Sequence, residues 1–176
     1  MSVIFKDFGH RSKRLVIAAL LSAGSVAGAS AIDVGSTAPA FSLKAVRGTA
    51  DSAALKGKIV YVDFWASWCV PCKQSFPWMN EMQAKYAERG LEVVAINVDA
   101  KQADADKFLA QIPAKFQVAF DAAGETPKKF GIKAMPSAVI VGGDGRVLNV
   151  HAGFRESDKA ELEAAIVAAL DGLKKR

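Results

Sequence analysis

Cysteine is almost missing from this chain, at 2 of 176 residues, and histidine is as scarce, at 2. With His10 near the N-terminus and His151 far along the chain from both cysteines, the roughly four ligands of a zinc site cannot be gathered. A charge field of one sign is lacking too. The net charge of +5 is concentrated at the start, where Lys6, Arg11, Lys13 and Arg14 stand against Asp7. No basic cluster remains beyond that point, so a nucleic-acid partner is not expected. Charged residues make up 23% of the chain, and its 14 Gly and 6 Pro are ordinary, which excludes wholesale disorder. After residue 31 no apolar run is long enough to span a bilayer. What is present is enough length and a 51% hydrophobic content for one folded domain plus a short extra segment.

The extra segment reads as an export address. Lys6 to Arg14 form a positive region, and Leu15-Val16-Ile17-Ala18-Ala19-Leu20-Leu21 is unbroken apolar chain. Ala29-Ser30-Ala31 then supplies the small residues of a cleavage site. Cleavage is expected after Ala31, dividing the chain into a signal at 1–31 and a domain at 32–176. An uncleaved anchor is the alternative, yet Leu15 to Ala31 is short of the ~20 apolar residues of a span and contains Gly and Ser. The segment has no Cys for a lipid anchor and no Arg-Arg pair for twin-arginine export. A periplasmic location is expected, with a tether to the inner membrane only if the signal is kept.

Along the domain, Phe41-Ser42-Leu43 reads as a strand leading into a loop. Ile59-Val60-Tyr61-Val62-Asp63-Phe64 reads as a buried central strand, because it is β-branched and aromatic with few polar positions. Trp65 to Val70 is expected to be a loop. Pro71 to Arg89 suits a helix, with Phe76, Met79, Met82 and Tyr86 at spacings of three and four, a kink at Pro77 and a stop at Gly90. Leu91 to Val98 is a second buried strand, so one helix separates two strands and a right-handed βαβ unit follows. A helix at Asp104–Gln111, a strand at Gln117–Phe120 and a short helix at Glu125–Phe130 come next. Ser137–Val141 and Val147–His151 form a hairpin about Gly142-Gly143-Asp144-Gly145. Ser157 is expected to cap a last helix whose inner face carries Leu162, Ile166, Ala169 and Leu173. The fold class is α/β with a mixed sheet.

Cys69 and Cys72 lie in Trp68-Cys69-Val70-Pro71-Cys72, where a buried strand meets a helix. As a structural staple the pair would close a tiny loop and restrain little chain entropy. Covalent haem attachment would need His after the second Cys, and that residue is Lys73. A dithiol–disulfide redox pair suits motif, position and context together. Unpaired amides and the positive dipole end at a helix start favour thiolate over thiol. Cys69 is therefore expected to attack and Cys72, almost one turn further in, to resolve the mixed disulfide.

At these residues the sequence resembles the thioredoxin superfamily, and within it the exported TlpA-like and ResA-like thiol–disulfide oxidoreductases. Val62-Asp63-Phe64-Trp65-Ala66-Ser67-Trp68-Cys69-Val70-Pro71-Cys72-Lys73 matches the family's active-site segment, and Val34 to Leu43 resembles the opening of TlpA-like proteins and peroxiredoxins. Ala100 to Ala123 falls where TlpA-like proteins carry an αβ insertion before the cis-proline loop. The resemblance implies a thioredoxin-like fold, with Asp63 as a buried acid of raised pKa that exchanges a proton with Cys72. It implies a cis bond at Pro136 in Met135-Pro136-Ser137, and Gly153 lining a substrate groove. Trp68, Val70, Pro71, Met135, Pro136 and Gly153 are the expected substrate contacts, with Trp65 and Trp68 packing or lining the groove rather than reacting. His151 is expected to be a surface or packing residue.

Two departures stand out. Ala95 occupies the place where plain thioredoxins carry a Lys beside the acid, and Ser75 the place where some cytochrome c maturation members carry Glu. The function implied is an exported enzyme without cofactor or metal, acting as a monomer. It would reduce disulfides of exported partner proteins, with electrons from a membrane thiol transporter, since the compartment has no adequate reductant pool. A disulfide-donating oxidase uses the same residues. A copper-binding assembly chaperone would have to use Cys69, Cys72 and distant His151, a poor set. A peroxiredoxin needs Thr three residues before its reactive Cys, and Ala66 and Cys69 stand there instead.

Overall fold

The computed structural model describes Met1 and residues 32–174, so the expected signal and its cleavage point lie outside the described residues. Seven strands and four α-helices follow one another: β1 (Ser42–Lys44), β2 (Thr49–Asp51), β3 (Ile59–Trp65), α1 (Val70–Tyr86), β4 (Leu91–Asn97), α2 (Gln102–Gln111), β5 (Gln117–Phe120), α3 (Glu125–Lys129), β6 (Ser137–Val141), β7 (Val147–Ala152) and α4 (Lys159–Leu173). The main sheet has the order β5-β4-β3-β6-β7, parallel from β5 through β3 and antiparallel at β6 and β7. This is the thioredoxin-like α/β architecture with a mixed sheet, and α2 and β5 form the expected insertion. Among the described residues no helix is long and apolar enough to cross a membrane.

Strand β3 is buried along its whole length because strands flank it on both sides and packed layers cover both of its faces. Alternation then sorts its side chains. Val60, Val62 and Phe64 enter one core with Val94, Ile96 and Phe130. Tyr61 and Trp65 enter the other, with α1, Phe108 of α2, and Leu162 and Ile166 of α4. In that second core Trp65 lies 4.7 Å from both Phe76 and Phe108, ring centre to ring centre, and Phe76 also meets Phe108 at 4.9 Å and Phe116 at 5.3 Å. The insertion therefore locks the end of β3 to the first turns of α1.

Several boundaries differ from expectation. Trp65 belongs to β3, and α1 starts at Val70 rather than Pro71, because Cys69 is already its N-cap. The helix runs through Pro77, tightens into a 3-10 turn at Ala87–Arg89 and stops at Gly90, whose φ of 99° favours glycine. The first strand is shifted to Ser42–Lys44, and β2, absent from the sequence reading, pairs with it. Ser157 does not cap α4. A 3-10 turn at Glu156–Asp158 precedes the helix, and Asp158, the stronger acceptor, takes the Arg155 N–H at 2.9 Å. Leu162, Ile166 and Leu170 form the buried face of α4, with Ala169 and Leu173 only partly covered, as the 3.6-residue period requires.

Both sheet edges are partly covered. Val46 N donates to Val118 O beside β5, while Gly35 N donates to Val147 O and Val147 N to Ser36 O beside β7. Phe76 joins three aromatic neighbours at full burial, so Phe76→Ala should cost about 3–5 kcal/mol. The chemical-denaturation midpoint should fall with an unchanged m-value; a loss under about 1 kcal/mol would show that the cluster does not hold the insertion.

Candidate active site

Strand β3 delivers its last residues to the start of α1, and the cysteines sit at that junction. Cys69 is the N-cap of α1 in extended conformation, and its Sγ accepts the Cys72 N–H at 3.3 Å. Sulfur thus occupies the position at which a capping Ser or Asp oxygen would meet a free amide. Cys69 and Cys72 are joined as a disulfide with Cα atoms 5.3 Å apart. Cys72 is fully buried and Cys69 retains 3% exposure, whereas Trp68 and Val70 on either side are 69% and 66% exposed. Two apolar side chains thus stand in solvent around a covered disulfide, and Pro71 beside them is exposed as well.

Asp63 lies between Tyr61 and Trp65 on the same face of β3, the face that packs on the core containing both cysteines. It is 2% exposed, and its Oδ2 has no hydrogen-bond partner among the described residues. Its neighbours in register are Ala95 on β4 and Ala138 on β6, so no cation faces it across either strand. Desolvation alone accounts for a carboxyl pushed well above its ordinary range. Burial, and then the Asp63 carboxylate, push the Tyr61 hydroxyl up as well.

The Met135-Pro136 bond is cis, and the Pro136 carbonyl accepts the Gly153 N–H at 2.8 Å. Gly153 has a φ of 84° with open space around it, so backbone conformation, not crowding, favours glycine there. That bond ties the end of β7 to the proline loop. Met135 packs against both cores, including the one that holds the cysteines. Ser75 is 1% exposed and its hydroxyl donates to the Cys72 carbonyl at 3.2 Å, so it turns back onto α1. His151 pairs with Asp158 at 3.3 Å, which places it in packing between β7 and the turn before α4. Among the described residues no three of His, Cys, Asp and Glu come together as a metal-binding group.

The sequence reading missed Asp99. This buried carboxylate accepts from Ser67 N at 2.9 Å, Ser67 Oγ at 3.0 Å and Asn97 Nδ2 at 2.8 Å. It holds the turn that enters Trp68-Cys69, while Val98 N secures the Trp65 carbonyl at 3.0 Å. The only cue was an Asn-x-Asp at the end of the strand next to the motif strand.

A family model described as redoxin matches residues 33–166. The ResA thiol-disulfide oxidoreductase of Bacillus thuringiensis subsp. konkukian is 35% identical over 133 residues, 75% of this chain and 76% of the relative. That of Oceanobacillus iheyensis is 33% identical, covering 73% of this chain and 69% of its own. A crystal structure from Chlorobium tepidum, described as a thiol:disulfide interchange protein DsbE, is 54% identical with a TM-score of 0.78, covering 80% of this chain and 99% of its own. With the cysteine pair, the buried acid and the cis-proline loop at the places this similarity spans, the chain belongs to the redoxin family, among the ResA-like thiol–disulfide oxidoreductases of the thioredoxin superfamily.

Proposed function

We propose that the protein is exported and reduces disulfides of exported partner proteins, drawing electrons from a membrane thiol transporter; apocytochrome c is one candidate partner, weakened by Ser75 where some cytochrome c maturation members carry Glu. The observation that carries the exchange chemistry is the Cys69 sulfur at the N-cap of α1, accepting an amide hydrogen, while the reducing direction rests on the family resemblance. The same amide and the helix dipole favour Cys69 as thiolate once the pair is reduced.

Each step balances. The Cys69 thiolate attacks one sulfur of the partner disulfide, and the other partner sulfur leaves as thiolate. The Asp63 carboxylate then takes the Cys72 thiol proton, and Cys72 attacks Cys69. The second partner sulfur departs, two electrons have passed to the partner, and Cys69–Cys72 is a disulfide. Trp68, Val70 and Pro71 on one side, and Met135, Pro136 and Gly153 on the other, bracket the partner chain, the proline loop offering backbone to an extended segment.

Cys72→Ser should trap a covalent mixed disulfide on Cys69, seen as a partner-mass adduct lost on reduction; a Cys69→Ser variant trapping through Cys72 would reverse the order of attack. The potential of the 32–176 chain in glutathione buffers should lie well below about −200 mV, and a value near about −120 mV would make it a disulfide donor instead. Asp63→Asn should slow exchange at neutral pH and flatten its pH–rate profile; an unchanged profile would remove Asp63 from the mechanism. The same variant has a stability signature. A carboxyl raised above its ordinary value of 3.8 contributes most below that value and loses the contribution as pH rises through its folded-state value. Asp63→Asn should therefore gain on the wild type progressively above about pH 4.

A further inference from the structure

We propose that the reductase docks partner segments whose cysteine is flanked by Asp or Glu, held by a lysine-rimmed groove beside the cis-proline loop; this rests on the function proposed above. Residues 32–174 carry 17 Lys and Arg and 17 Asp and Glu, so the body has no net excess of either sign. The distribution is uneven at one end. Lys73 follows Cys72, Lys101 follows the end of β4, Lys128, Lys129 and Lys133 lie on or after α3, and Arg155 follows Gly153. All six are exposed, and none makes an ion pair among the described residues.

The carboxylates in the same segments do not offset them. Asp99 and Asp121 are buried and bonded to backbone N–H groups. Asp104 and Glu156 are paired to Lys107 and Lys159 on their own turns. Asp158 accepts the Arg155 N–H and pairs with His151, and Asp106 and Glu125 remain. Two of these cations, Lys128 and Lys133, line a groove of about 340 Å³ together with Val98, Pro127, Ile132 and Met135. Met135 immediately precedes Pro136, so the groove continues the edge along which an extended partner would lie. Its floor suits an apolar side chain and its lysines suit carboxylates on the neighbouring residues. Charge at such a rim acts through encounter rate and is screened by salt.

The test uses two peptides that share one intramolecular disulfide and differ only in flanking residues, Asp and Glu in one, Lys in the other. The purified reduced protein passes two electrons to the peptide disulfide and becomes the Cys69–Cys72 disulfide. The acidic peptide should react roughly tenfold faster at low ionic strength, and the advantage should collapse in about 0.5 M salt. A Lys128→Glu/Lys133→Glu double variant should reverse the preference, which also shows that the variant is folded and active. Equal rates for the two peptides, or a preference that survives the double variant, would overturn the proposal while leaving the reductase reading intact. Reduction of neither peptide would overturn that reading itself, and the docking proposal with it. Binding to phosphatidylglycerol vesicles that the double variant loses, without a peptide preference, would assign the lysines to a membrane surface and overturn the proposal.

Discussion

A helix begins with amide hydrogens that have no carbonyl to receive them, and here the atom that meets one of them is the Cys69 sulfur. Much of the surrounding structure can be understood as holding that sulfur in place. Strand β3 brings the chain to the spot, anchored on each side by a neighbouring strand. Asp99 fixes the turn through Ser67, and the aromatic cluster of Trp65, Phe76, Phe108 and Phe116 joins strand, helix and insertion below it. A cap made by oxygen would stabilise the helix alone. A cap made by sulfur couples helix stability to the redox state of the pair, because thiolate, thiol and disulfide are acceptors of different strength.

Asp63 works against the same fold. Buried between two alanines, with one oxygen unpartnered among the described residues, it is a polar group that folding would rather exclude. Burial favours its neutral form, so when ionised it is a stronger base than an ordinary carboxylate, which suits it to take the proton of a neighbouring thiol. Ala95 makes the setting simpler than it would be with a lysine there, since desolvation alone moves the carboxyl. The stability sacrificed at this position is the counterpart of the proton transfer proposed for it.

The parts that were legible in the sequence share a local cause. The β-branched and aromatic run shows the central strand, because burial on two faces leaves little place for polar residues, while the buried acid at Asp63 came from the family resemblance. The cysteine spacing carries its meaning within a few residues, and the cis bond at Met135-Pro136 came from the family resemblance. The parts that were not legible depend on partners far along the chain. Asp99 bonds Ser67 across 32 positions, and no periodicity announces such a bond. The pairing of β1 with β2 rests on three residues each, too few for an alternating pattern to declare itself. Ser157 has the right chemistry for a cap, but the Asp158 carboxylate reaches back to the Arg155 N–H and holds a 3-10 turn, after which α4 starts without a side-chain cap.

The segments laid along the sheet edges have a consequence for a protein that exchanges disulfides with other polypeptides. Incompletely folded polypeptides seek unpaired backbone, and an open edge strand would recruit them indiscriminately. Residues 35–38 occupy the start of β7, and Ala45–Val46 occupy the outer side of β5. A wandering strand is thereby turned away at those edges. The end of β7 that Gly153 ties to the proline loop is where the proposed function places the extended partner backbone. Such shielding makes the covered stretches of edge poor seeds for co-aggregation with another chain.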